Sequence, residues 1–370
     1  MITRILSPFQ YVPGISRAAV GAAALAGALA FAPAPVQAQT LAEALIAAYS
    51  NNPTLAARRA RLRATDEQVP QALSNWRPSV AITGDAGYER NRSTLRTTDR
   101  TQNRNPATVG LSITQPLYRG GRTLAATEGA ENSVRAERAR LIDTEQDILL
   151  AAATAYLNVF RDEAVLALNI NNEKVLKRQL EATKDRFEVG EITRTDVHQA
   201  EARLAGATAD RIRAEATLEN SRATYENVVG LPAPKNLELP GDPGGLPKER
   251  HDAIKMAATT NPNVIAAEFD RKAGMNTVRE VKGELLPEVD VTASADRAYE
   301  SSSDTGRIDS AEVRVNLTIP IYQQGSVYSR LREAKQSLAE LTRNIDQARR
   351  DAIEDATSAW ENLQTARARV

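Results

Sequence analysis

The chain of 370 residues contains no cysteine. That excludes a disulfide framework and any thiolate-bound metal. Histidine is almost as scarce: His198 and His251 are the only two, too far apart in sequence for local ligand spacing. Each reads as a solvated or packed side chain. Neither sign of charge dominates, with 47 Lys and Arg against 47 Asp and Glu. A nucleic-acid surface would need a basic excess, so none is expected. No phosphate-cradling glycine loop, metal-ligand cluster or nucleophile–base pair is found, so neither an enzyme nor a cofactor is implied. Proline is missing from the whole stretch between Pro116 and Pro232. That removes the strongest helix breaker from a long part of the chain.

Long apolar runs are also lacking, with one short exception. Ala18 to Ala32 reads AAVGAAALAGALAFA, 15 residues preceded by Arg4 and Arg17. It falls short of the roughly 20 residues a membrane-spanning helix needs. Val36-Gln37-Ala38 follows as a small-x-small cleavage site. Residues 1–38 therefore read as a signal peptide cut after Ala38, which sends the chain to the periplasm or beyond.

The remainder is built twice. EALIAAYSNNP at Glu43–Pro53 is echoed by DAIKMAATTNP at Asp252–Pro262, an offset of 209 (252 against 43). Pro78 matches Pro287 at the same offset. Pro116-Leu117-Tyr118 then matches Pro320-Ile321-Tyr322 at an offset of 204, as do Gly121 with Gly325 and Tyr156 with Trp360. The lost residues fall between landmarks, where a loop absorbs them. The first copy spans 39–230, a Pro/Gly-rich linker 231–250, and the second copy 251–370. Val370 corresponds to Leu166 of copy one, which continues to about Gly230. Copy two is thus expected to be incomplete at its C-terminal end.

Each copy carries two strand signals. In copy one, Val80, Ile82, Gly84, Ala86 and Tyr88 share one parity, and Val109, Leu111 and Ile113 another such face. In copy two, Val289, Val291, Ala293 and Ala295 alternate with Asp290, Thr292, Ser294 and Asp296. Val313, Val315, Leu317 and Ile319 alternate with Glu312, Arg314, Asn316 and Thr318. Period-two alternation predicts strands at about 79–89, 107–116, 288–297 and 311–320. It fits either a soluble sheet with one wet face or a barrel strand with lipid on one side and a lumen on the other. Glu89–Pro106 and the segment around Ser301–Asp304 read as polar connecting loops. Four strands cannot close a membrane barrel, whose smallest members have eight, and open edges are not tolerated in lipid. Spanning would therefore require oligomerisation, giving eight strands in a dimer or twelve in a trimer.

Between the strands lie helical segments too long for a compact domain. Arg122 to Phe187 is rich in Ala, Glu, Arg and Leu, and would extend roughly 100 Å at 1.5 Å per residue. Val134, Leu141, Ile148 and Ala155 recur every seven residues, a coiled-coil seam. Val189-Gly190-Glu191 breaks the pattern, and a second helix returns from Thr193 to about Val229. Thr40 with Glu43 forms a capping-box pair. Pro53 and Pro262, each after Asn, suit the first position of a helix. Pro70 is positioned to kink the first long helix, and Arg279 stands there in copy two.

This order of motifs resembles the TolC family of outer-membrane export channels. The matching pieces are TLAEAL at Thr40–Leu45 with Asn52-Pro53, Trp76-Arg77-Pro78, and Gln115-Pro116-Leu117-Tyr118 with Gly120-Gly121. RFEVGE at Arg186–Glu191, followed by Thr195-Asp196-Val197, is the most specific. The type I secretion branch is the nearest in pattern. The resemblance implies a mainly α fold with transmembrane β, in two tandem repeats of a long coiled-coil helical hairpin plus a β-hairpin. It implies a homotrimer whose twelve strands form one outer-membrane barrel and whose helices form a periplasmic tunnel. Substrate would pass from an inner-membrane transporter, through a periplasmic adaptor, to the exterior. Val189, Gly190 and Glu191 would then sit at the periplasmic tip that meets the adaptor, Glu191 replacing an apolar residue. Thr195 and Asp196 would lie beside the tip constriction and help hold it shut. A helix N-cap explains Thr193 or Thr195 equally well. The competing reading of the whole chain is a periplasmic coiled-coil adaptor or scaffold without a pore.

Overall fold

A computed structural model describes residues 40–95, 98–234, 236–241, 244–301 and 306–369. The proposed signal peptide lies outside the described residues. Copy one begins with α1 (Leu41–Asn51), α2 (Pro53–Asp66) and α3 (Gln68–Ser74). The expected capping box is present: the Glu43 N–H donates to Thr40 Oγ1 at 3.3 Å, and the Thr40 N–H to Glu43 Oε2 at 3.2 Å. Asn52 caps α2, its Oδ1 accepting from the Thr54 and Leu55 N–H groups, with Pro53 at the first position. Asn261 and Pro262 do the same in copy two. Pro70 lies in the first turn of α3, where a missing N–H is tolerated, and separates it from α2. Its ring opposes the carbonyl four residues back, Asp66, which is where the helix stops. Copy two, with Arg279, runs unbroken through α7.

The strands follow as β1 (Ser79–Ala86), β2 (Glu89–Leu95), β3 (Thr98–Arg104) and β4 (Ala107–Arg119). The polar stretch read as a loop is therefore a β-hairpin. Its Arg- and Thr-rich sequence offers no hydrophobic period, yet backbone pairing does not need one: Glu89–Leu95 pair with Arg104–Thr98 throughout. β4 also runs past the expected end at Pro116. β1 begins at Ser79 opposite Thr114, so β4 beyond Thr114 pairs with β5 alone and a bulge follows Pro116. Proline, lacking an N–H, is tolerated at such an edge.

Two long helices close copy one: α4 (Arg122–Glu188, 67 residues) and α5 (Arg194–Val229). Copy two contributes α6 (Arg250–Thr260), α7 (Pro262–Gly283), β5 (Glu288–Tyr299), β6 (Arg307–Thr318) and α8 (Ser326–Arg369). β6 starts earlier than the alternation predicts, because Arg307–Ser310 pair with β5 although Arg307 and Asp309 are charged.

The sheet has the antiparallel order β1-β4-β5-β6, so the two copies join at β4–β5. The main apolar core sits between α1, α2, α4 and α5. Ala44, Ala48, Leu55, Ile148, Ala152, Ala155, Tyr156, Val159, Leu218, Tyr225 and Val229 pack there. Three of the four seam residues, Val134, Ile148 and Ala155, are buried and Leu141 packs against the cluster. Alanine at so many contacts lets the helices approach closely. Where helices meet strands, Gly120 takes φ +62° and lies against the Gly283 carbonyl, leaving no room for a Cβ on either count. Glu288 clamps that junction, accepting from Arg119 at 3.1 Å and Arg122 at 2.7 Å. Among the described residues no helix is long and apolar enough to cross a membrane.

Candidate functional site

The strand registers decide how the sheet presents itself. Val80 lies opposite Ile113, Ile113 opposite Ala293, and Ala293 opposite Val313. One rung along come Ile82, Leu111, Ala295 and Ala311. The apolar residues of all four strands therefore share one continuous face, since directly paired residues point the same way. On the other face Thr83, Gly110 and Asp296 align, as do Ala81, Ser112, Ser294 and Glu312. The apolar face is left uncovered, unlike that of a water-soluble sheet. Val80 is 64% exposed, Ile82 77% and Val313 73%. On β4 the apolar positions 109, 111 and 113 are exposed while Gly110 between them is buried. β1 and β6 are each paired on one side only.

A polar network braces the helices around a buried carboxylate. Glu137 on α4 is 4% exposed. Arg58 and Arg61 of α2 approach it at 3.3 and 3.2 Å, and Arg140 at 3.3 Å. Arg140 also pairs with Asp270 of α7, which ties copy one to copy two. Burial raises the Asp270 carboxyl above its ordinary range, against the pull of Arg140. Sequence inspection had no signal for this cluster, because its members come from three helices with no common spacing.

The α4–α5 turn, remote from the sheet along α4, gathers the expected tip residues. Gly190 has φ +74°. The Gly190 N–H donates to the Phe187 carbonyl at 3.0 Å and the Glu191 N–H to the Arg186 carbonyl at 3.0 Å, a Schellman C-cap. Such caps commonly add an apolar contact between the two residues that here are Arg186 and Glu191. An ion pair takes its place: Arg186 donates from Nε and Nη2 to Glu191 at 3.0 and 2.8 Å. Those bonds hold the Glu191 carboxyl below its usual range. Val189 is 78% exposed. Thr193 caps α5, with Asp196 Oδ2 accepting from its hydroxyl at 2.7 Å and its N–H at 2.9 Å. The Thr193 hydroxyl, then its N–H, keeps the Asp196 carboxyl below the ordinary range. Thr195 is exposed on the first turn of α5. The turn thus unites Val189, Gly190 and Glu191, and leaves Thr195 outside the cap that occupies Asp196. Behind it, Lys184 and Glu201 link α4 to α5 at 3.2 Å.

Among the described residues no group of three or more His, Cys, Asp or Glu is arranged to hold a metal ion. The sequence profile of the outer membrane efflux protein family matches residues 44–231 and 253–370. The outer membrane efflux protein BepC of Brucella suis biovar 1 is 34% identical over 333 residues, covering 90% of this chain and 71% of that protein. The outer membrane protein TolC of Vibrio cholerae is 26% identical over 336 residues, covering 89% of this chain and 75% of that one. Among solved structures, the outer-membrane channel OprN superposes with a TM-score of 0.75 at 21% identity, covering 89% of this chain and 75% of that chain. The family profile covers both copies of the repeat. The chain belongs to the outer membrane efflux protein family, a transport family of the outer membrane.

Proposed function

We propose that this chain is the outer-membrane subunit of a tripartite export system, a passive conduit from an inner-membrane transporter to the exterior. The observation that carries it is the uncovered sheet: four strands merge their apolar side chains into one exposed face, with both edges unpaired. Lipid would cover that face and water the polar one. A scaffold without a pore would leave both the apolar face and the sheet edges in water. Three copies joined edge to edge would give twelve strands, the closure that lipid demands. The helices would continue the conduit into the periplasm.

The α4–α5 turn is the proposed adaptor contact. Exposed Val189 and the left-handed Gly190 offer the partner an apolar knob and open backbone, with Glu191 held by Arg186 at its rim. Asp196 would support the constriction indirectly, by fixing the start of α5 through Thr193. Thr195, exposed beside it, would face a neighbouring subunit.

The decisive experiment is fractionation followed by planar-bilayer recording. The protein should sediment with the outer membrane, run as a detergent-resistant oligomer, and conduct ions. Extraction into buffer without detergent, or a silent bilayer with the oligomer present, would overturn the reading.

A further inference from the structure

The aromatic residues of the main sheet gather at its two ends. Trp76, Tyr88 and Tyr118 are the aromatics between residues 76 and 119, and Tyr299 and Tyr322 those between 288 and 322. None falls in the middle of a strand. Alternation counted from Ile113 would turn Tyr118 to the polar face, with Thr114. The bulge prevents that. Pro116 lies opposite Asp290 and Tyr118 opposite Val289, so Leu117 is the extra residue. Val289 shares the apolar face with Val291 and Ala293, and Leu317 lies across from it on β6. Tyr118 is therefore brought to the apolar face, and Arg119 to Glu288 on the polar one.

Trp76 stands beside that row, its carbonyl accepting from Gln115 Nε2 at 2.9 Å. Copy two ends alike: past β6, Ile319, Ile321 and Tyr322 are all exposed. At the opposite end Tyr299 lies on the apolar face opposite Ala107, and exposed Tyr88 follows the end of β1 at Ala86. The ten steps along β5 from Val289 to Tyr299 cover about 34 Å at about 3.4 Å per residue. A barrel strand tilted by about 35–45° converts that to a depth of about 24–28 Å, against an apolar band of about 25 Å in such barrels. Between the ends this face holds Leu111, Ile113, Ala293, Ala295, Val313 and Val315. The ion pair of Arg297 with Asp309, at 2.6 Å, lies a single rung inside Tyr299, where a guanidinium reaches the headgroup level along its own stem.

We propose that the two aromatic ends set the depth of this sheet in the bilayer. Trp76, Tyr118 and Tyr322 lie at the headgroup boundary on the helix side, Tyr88 and Tyr299 lie at the opposite boundary, and acyl chains fill the space between. This rests on the reading that lipid covers the apolar face. Dimensions and chemistry select the occupant. A second protein surface has no reason to match the thickness of a bilayer, or to meet tyrosine only at two edges. A tyrosine at a membrane boundary keeps its ring in hydrocarbon and its hydroxyl among headgroups.

The test uses the full-length oligomer in phosphatidylcholine vesicles whose acyl chains carry bromine, a tryptophan quencher, near the carbonyl end or near the methyl end. W360F leaves Trp76 as the only tryptophan and does not touch the sheet. Its emission should fall more with carbonyl-end than with methyl-end bromine. In a W76F/W360F background, Y118W and Y299W should do the same and I113W the reverse. I113W quenched by neither lipid would overturn the lipid-facing sheet itself. I113W quenched, but no deeper than Trp76, Y118W and Y299W, would overturn the depth assignment and leave the lipid-facing sheet standing. So would any of those three left unquenched while I113W is quenched.

Discussion

Gly190 adopts φ +74° with open space where a Cβ would lie. Gly190→Ala should therefore meet no clash and carry only the left-handed strain, about 1–2 kcal/mol. Hydrogen exchange should show faster opening of the last turn of α4 and little change at the sheet. The Arg186–Glu191 pair has a pH signature. The folded Glu191 pKa is depressed, so its contribution is full above the ordinary glutamate range and fades as pH falls through the depressed value. Exchange protection of the turn should stay level from mildly basic pH down to that range, then drop. Loss of protection near neutrality would contradict the pairing. Glu137 is the costlier position. Glu137→Gln leaves Arg58, Arg61 and Arg140 converging on a neutral amide. The arginines reach solvent in part, so the expected loss is about 2–3 kcal/mol, below the ~3–5 of a fully buried pair. Thermal unfolding of the assembled protein measures it.

Elements show where local sequence speaks and where it is silent. The caps at Thr40 and Asn52 and the break at Pro70 were legible because each depends on residues within one turn. The β2–β3 hairpin was not legible, because Arg, Asn and Thr side chains carry no burial period and only the backbone ladder makes it a strand. The linker is another case. Buried Tyr156 donates its hydroxyl to the Glu238 carbonyl at 2.6 Å and accepts from the Glu238 N–H at 3.0 Å. A contact over 82 positions has no trace in spacing, although the repeat marked Tyr156 as the counterpart of Trp360. Tyr156→Phe should leave both backbone groups of Glu238 without this partner, a loss of about 1–3 kcal/mol. Limited proteolysis should then cut the 231–250 linker sooner, with α4 unaffected.

At the scale of the whole molecule, neighbouring positions on β6 should behave oppositely. Val313 belongs to the exposed apolar face and Glu312 to the polar one. Val313→Arg places a charge against hydrocarbon, at about 2–4 kcal/mol near the bilayer centre. The yield of detergent-resistant oligomer should fall steeply. Glu312→Gln should assemble as wild type and move ion selectivity toward anions, since Arg314 at 2.6 Å loses its carboxylate. Equal oligomer yield from the two variants would mean that the faces had been assigned the wrong way round.

The sequence by itself determined the duplication, the long helices, the four strands of the main sheet with their one greasy side each, and the caps. All are set by short-range chemistry repeated along the chain: turn-length hydrogen bonding, proline's missing donor, and periods of two or seven. It left open whether the greasy sides were a soluble sheet's interior or an exterior. Only the tertiary structure bears on that, by pairing β4 of one copy with β5 of the other so that four apolar faces merge and no helix covers them. Helix packing likewise brought Arg58 and Arg61 of α2 to Glu137. Register and helix packing link residues far apart in the chain, and no local period records which partners they choose.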